Sequence, residues 1–142
     1  MRVLLADDSE LIRKRLENIV CAYKQVDLVG SYGNGSAALK ALKTLKPDLA
    51  ILDIQMPGYT GIEVLHEIRK ENKTMKIAIL TLYSNGFYRS ISFKEGADYF
   101  FSKADDFQNI PIVIEELLSN EKKEKRASTK KKPDNIPLTK QK

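Results

Sequence analysis

Apolar residues come in short unbroken runs along the first hundred positions, and each run stops at a polar residue. Val3-Leu4-Leu5-Ala6 ends at Asp7-Asp8, Leu49-Ala50-Ile51-Leu52 at Asp53, and Ile77-Ala78-Ile79-Leu80 at Thr81, with only Leu82 beyond it. Unbroken runs of this length, the middle one bounded by Pro47 and Pro57-Gly58, predict strands buried on both faces of a parallel sheet. Residues 26–31 and the aromatic stretch 98–102 predict two further strands, the second ending at Lys103.

Between the runs the period lengthens to that of a helix. Asp8 or Ser9 caps a first helix whose Leu11, Ile12, Leu16, Ile19, Val20 and Tyr23 share a face. Cys21 falls at an apolar position there and is expected to be buried. Gly33-Asn34-Gly35 reads as a turn, and residues 36–45 as a second helix stopped by Pro47. Thr60 with Glu63 forms a capping-box pattern ahead of Ile62, Leu65 and Ile68. A fourth helix spans about residues 87–95, with Gly96 as its left-handed terminator. A last one starts between Asp106 and Pro111 and ends about Glu121. Strands alternating with helices five times imply an α/β fold with a parallel sheet covered on both sides.

Charge divides the chain. Its formal net charge is +5, yet residues 119–142 hold nine Lys/Arg against three Asp/Glu, so the remainder is close to neutral. The expected organisation is a globular domain over 1–121 and a basic, disordered tail over 122–142. The tail reads as a solvated extension, an electrostatic contact for nucleic acid or an acidic partner, or a remnant linker. One cysteine excludes an internal disulfide, and no Cys/His cluster suits zinc. Without an apolar run of about 18 residues or a signal-peptide pattern, membrane insertion is not expected and the cytoplasm is the expected location.

The strand ends carry the chemistry. Parallel strands share one carboxyl edge, where ligands of open α/β sheets bind. Asp7, Asp8, Asp53, Thr81 and Lys103 converge there if the strands concerned are neighbours. Crowded carboxylates repel unless a cation sits among them, and an oxygen-only set suits Mg²⁺. A metal-bound carboxylate beside a lysine is a place for a phosphoryl group, with Asp53 as nucleophile and Thr81 donating to a phosphoryl oxygen.

Residues 3–9, 51–58, 79–81 and Gly96-Ala97-Asp98-Tyr99-Phe100-Phe101-Ser102-Lys103 resemble the receiver domain of bacterial two-component response regulators over roughly residues 1–120. The resemblance implies a flavodoxin-like, doubly wound five-stranded sheet of order 2-1-3-4-5. It implies Asp53 as phosphoacceptor, Mg²⁺ on Asp8, Asp53 and the Gln55 carbonyl with Asp7 acting through water, and Lys103 on the phosphoryl group. Thr81 and Phe100 take the switch positions. The implied donor is a histidine kinase or histidine phosphotransfer protein. The implied output is the face from the fourth helix to the fifth, toward a downstream protein or a phosphorylation-dependent dimer.

Two departures stand out. Ala104 follows Lys103 where the family often has proline after a cis peptide, so a trans bond or a strained cis one is expected, the cis form costing about 2.5–4 kcal/mol. Phe100 lacks the hydroxyl of the tyrosine common at its position, and Tyr99 should face the other way. Eight of the eleven aromatics lie between Tyr83 and Phe107, too many for one strand and one short helix to bury, so some should be exposed. His66, the single histidine, is expected to be solvated and without a role.

The expected function is a single-domain response regulator whose chemistry is limited to its own phosphorylation and dephosphorylation. Two rivals are weighed. An aspartate-nucleophile phosphatase needs a general acid two residues after the nucleophile, and Gln55 does not serve. The receiver part of a DNA-binding transcriptional regulator would carry its output outside these 142 residues.

Overall fold

A computed structural model describes residues 1–135, with side chains over 1–127. Five strands form one parallel sheet: β1 (Arg2–Ala6), β2 (Asp27–Tyr32), β3 (Leu49–Leu52), β4 (Lys76–Thr81) and β5 (Tyr99–Ser102), in the order β2-β1-β3-β4-β5. This is the doubly wound order that the resemblance implies, and a parallel sheet is what the strand pattern implies. Between β1 and β3 the winding reverses, opening a crevice at their carboxyl ends. Register aims the chemistry into it. Ala6 pairs with Leu52, so Asp7 and Asp53 leave neighbouring strands side by side, and Thr81 pairs with Ser102, which puts Lys103 one residue beyond.

Four helices connect the strands: α1 (Glu10–Cys21), α2 (Gly35–Leu45), α3 (Gly61–Arg69) and α4 (Gly86–Lys94). Each begins at a side-chain cap, from Ser9, Asn34, Thr60 and Asn85, and Thr60 with Glu63 completes the capping box. One sheet face, with Leu4, Ala6, Ala50, Leu52, Ile77, Ile79 and Phe100, packs against Ala38, Leu42, Val64, Leu65 and Ile68 of α2 and α3. Val3, Leu5, Ile51, Ala78 and Leu80 alternate onto the other face and are equally buried. Burial on both sides explains the unbroken apolar runs.

Gly96, at φ +107°, ends the α4 turn as expected, and Arg69 donates to its carbonyl from Nε and Nη2. Nη2 also reaches Asp98, whose Oδ2 accepts from the Ile77 amide, tying the α4–β5 turn to β4. No cis peptide occurs among the described residues, so the Lys103–Ala104 bond is trans.

Three expectations need correction. Cys21 is exposed, because it closes α1 while Leu16 and Val20 take the inward positions. Leu11, in the first turn of α1, is 78% exposed. The last helix, α5, follows a short 3₁₀ turn (Phe107–Asn109) and runs from Ile110 to Asn135, well past Glu121. Pro111 at its second position needs no N–H partner. Lys, Glu, Arg and Ala, all good helix formers, continue it, with Glu121 four residues before Lys125. Residues 136–142 of the predicted tail lie outside the described residues. The chain divides into two units, Met1–Pro111 and Ile112–Lys142, and the sheet, α1–α4 and the site below belong to the first.

Gly61 starts α3 against the end of β3, and a Cβ there would lie 2.0 Å from the Asp53 carbonyl oxygen. Gly61→Ala is therefore expected to cost about 3 kcal/mol in a urea titration through forced backbone displacement. An unchanged midpoint would contradict this packing.

Candidate functional site

Backbone bonds fix the rim of the crevice before any side chain is considered. The Asp53 amide donates to Ala6 (2.9 Å), the Asp7 amide to Tyr32 (3.0 Å) and the Lys103 amide to Thr81 (2.9 Å), so the strand pairings extend through the chemical residues themselves. The β3–α3 connection is held in the same way, by Gly61 N–H to Ile54 and Gly35 N–H to Pro57, both at 2.9 Å.

Among the described residues, Asp7, Asp8 and Asp53 form a carboxylate group with ligand oxygens all within 4.8 Å of one another. Asp7 and Asp53 are buried at 1% and 4% exposure, while Asp8 faces solvent. Lys103 reaches both buried acids, its Nζ 2.7 Å from Asp7 Oδ2 and 2.9 Å from Asp53 Oδ2. Burial pushes the Asp53 carboxyl above its ordinary value; the Asp7 charge adds to this, and the bond from Lys103 opposes it without cancelling it. Burial alone would lower the Lys103 ammonium, but its contacts with Asp7 and Asp53 outweigh that and raise it, so it stays charged.

Three carboxylates against one ammonium leave two excess negative charges. Asp7 Oδ2 is buried, with the Lys103 ammonium 2.7 Å away as its contact. Oxygen donors within 4.8 Å of one another and two excess negative charges fit a hydrated divalent cation such as Mg²⁺.

Thr81 is fully buried, and its Oγ1 accepts from the Tyr83 amide at 3.0 Å. Phe100 is turned inward against Phe93, ring centroids 6.5 Å apart, with the Arg89 guanidinium 5.3 and 5.7 Å from the two rings. Tyr99 points the opposite way and stacks on Phe101, as the strand period requires. The expected aromatic exposure is found: Tyr83, Phe87 and Phe93 are 45%, 67% and 41% exposed. His66 is solvated as expected, and it also pairs with Glu95, linking α3 to the end of α4.

A cleft of about 380 Å³ opens over Asp53 between Gln55, Leu82 and Tyr83 on one side and Ile12, Arg15 and Phe107 on the other. Arg15 stacks on Phe107 with its guanidinium carbon 3.7 Å from the ring centre. Sequence reasoning missed this wall, and it missed Arg13, whose Nη1 donates to the Asp7 carbonyl at 2.7 Å. A cation five residues after Asp8, on the first helix, was the available signal.

A doubly wound sheet with carboxylates at its switch point and a lysine just past the last strand defines a class of domains with an acidic crevice at the carboxyl edge of the sheet. The model of the response regulator receiver domain family matches residues 3–115, and the chain belongs to that family. It is 30% identical over 115 residues to the DNA-binding transcriptional activator EvgA of Escherichia coli, covering 81% of this chain and 56% of that protein. A protein-glutamate methylesterase/protein-glutamine glutaminase of Carboxydothermus hydrogenoformans is 32% identical over 118 residues, 82% of this chain and 35% of the enzyme. The solved response regulator domain of Thermotoga maritima CheB superposes with a TM-score of 0.73 at 26% identity, covering 84% of this chain and 94% of that one. The chain thus spans little more than half the length of the one curated relative and about a third of the other. Among the described residues, no helix is long and apolar enough to cross a membrane.

Because the raised Asp53 pKa means that the fold disfavours the ionised form, Asp53→Asn is expected to melt at a higher temperature than wild type in EDTA at neutral pH. The penalty is present above the folded pKa and is relieved as pH falls through it, so the gap should narrow on acidification. A variant that melts lower throughout would contradict the assignment of strain to this carboxylate.

Proposed function

We propose that this chain is the phospho-accepting switch of a two-component or phosphorelay system, with Asp53 as acceptor. The observation that supports it most is the shared ammonium: Lys103 spans Asp7 and Asp53 at the mouth of a cleft able to admit a donor. An Asp53 carboxylate oxygen attacks the phosphorus of a phosphohistidine on a histidine kinase or phosphotransfer protein. The new O–P bond makes an acyl phosphate as the N–P bond breaks, and the released imidazole takes up a proton. Lys103 moves with the transferred group, giving up part of its bond to Asp53 for a phosphoryl oxygen. Asp8, Asp53 and the Gln55 carbonyl would hold Mg²⁺, with Asp7 acting through water. The ion, when bound, supplies charge neutralisation for the phosphoryl oxygens.

The switch follows from Thr81. Its hydroxyl hydrogen is free to turn toward a phosphoryl oxygen, which draws on the segment that Tyr83 N–H anchors to it. Phosphorylation then favours a second arrangement of residues 82–85 and of Phe100, as a population shift. The exposed aromatics of α4 and its preceding loop supply the surface a downstream protein reads, or a second copy in a dimer. We assign no turnover activity on other substrates, place the protein in the cytoplasm, and take residues 1–121 as the receiver with 122–142 as a basic extension.

A second reading is favoured by one observation, the relation to an activator nearly twice the matched length. On that reading the chain is the receiver portion of a DNA-binding regulator, and any nucleic-acid affinity of this chain itself resides in residues 122–142. Such affinity would fall steeply with salt and vanish on deleting those residues.

Incubation with acetyl phosphate and Mg²⁺ should add about 80 Da to wild type, the mass of HPO₃ gained by a nucleophilic carboxylate, and nothing to Asp53→Asn. Equal labelling of the two proteins would overturn the assignment.

A further inference from the structure

Lys103 has to hold one ammonium between two carboxylates, yet it sits in a turn. A lysine side chain loses about 2 kcal/mol of rotamer freedom on being fixed, and Ala104 leaves the following backbone with both dihedrals free. Something else must hold the turn. The residues on either side of it do: Ser102 and Asp106 are joined by a set of bonds that brackets Lys103. The Ser102 amide donates to Asp106 Oδ2 at 2.7 Å, and the Asp106 amide returns to the Ser102 carbonyl at 2.9 Å. Inside this ring the Ala104 amide donates to Ser102 Oγ at 3.2 Å, and the Asp105 amide to the Ser102 carbonyl at 3.3 Å.

Asp106 stands at the N-cap of the 3₁₀ turn, where an aspartate ordinarily accepts from the amides that follow. Here its carboxylate caps none of them. Oδ2 points back to β5, and Oδ1 accepts from the Asn109 side chain at 3.2 Å. A charge-assisted bond of this length is stronger than a neutral one. The next residue, Phe107, is buried beneath Arg15, so the turn is pinned at both ends.

We propose that Asp106 is a positioning residue for Lys103, acting through Ser102 to hold the ammonium on Asp7 and Asp53. The inference rests on phosphoryl transfer to Asp53 as the reaction, but the placement of Lys103 is measurable apart from it. Two readouts on the full chain separate the claims. In lysine footprinting with an acylating reagent, Lys103 should be protected in wild type and in Asp106→Asn, which keeps an acceptor for the Ser102 amide. In Asp106→Ala it should become roughly fivefold more reactive through local opening. In labelling by acetyl phosphate, Asp106→Ala should be about tenfold slower, a displaced catalytic group being costly, with Mg²⁺ affinity by tyrosine fluorescence within about twofold of wild type. Asp106→Asn should label close to the wild-type rate.

Unchanged Lys103 reactivity in Asp106→Ala would overturn the proposal. So would a parallel loss of Mg²⁺ affinity and melting temperature, which would mark a merely structural role. Failure of wild type to label, with the footprint change intact, would support the positioning role and remove only the reading of the reaction.

Discussion

One ammonium serving two buried carboxylates is the interaction on which the rest of the site depends. Without Lys103, Asp7 and Asp53 would face each other across the β1–β3 switch point without the ammonium that contacts both carboxylates. With it, the acids are held but not neutralised, and Asp53 still feels the cost of its burial. The fold tolerates this because the strain is carried by backbone that has no alternative. Asp53 and Asp7 are extensions of central strands, bonded to Ala6 and Tyr32, and the strands beneath them are apolar on both faces. A well-packed sheet thus presents an incompletely neutralised edge, the condition under which a cation or a phosphoryl group gains most from entering.

Lys103 also couples that edge to the remainder of the molecule. Its amide is bonded to the Thr81 carbonyl, so the lysine and the Thr81 hydroxyl share one junction between β4 and β5. From there the structure loosens outward. Thr81 anchors Tyr83, the following loop exposes Leu82 and Tyr83, and α4 buries only Ser92 while leaving Phe87 67% and Phe93 41% exposed. An element that buries so little of itself and exposes its rings is weakly committed to its position. That contrast, rigid at the carboxylates and soft at α4, suits a switch read at a distance from its chemistry.

Much of this was legible in the chain itself. Strands buried on both faces write themselves as unbroken apolar runs, and the residues that end them form the candidate site, which is why Asp7, Asp53, Thr81 and Lys103 could be named together. Caps were equally readable at Thr60 and Glu63, whose bonds span three residues. What escaped was whatever depends on rotation of a helix against the sheet. Cys21 and Leu11 lie on an apolar stripe too wide for the surface it meets, and only packing decides which members are left outside. Asp106 escaped for a different reason: an acid after a strand looks like an ordinary helix cap, and only coordinates reveal that its carboxylate turns backward to Ser102.

The most direct test is to locate the acyl phosphate. Reducing the phosphorylated chain with borohydride converts an aspartyl phosphate to homoserine, and peptide mass spectrometry then reads the position. The account predicts homoserine at residue 53 and at no other aspartate. Homoserine at Asp7 or Asp8, or none anywhere in a sample that has gained the phosphoryl mass, would contradict it.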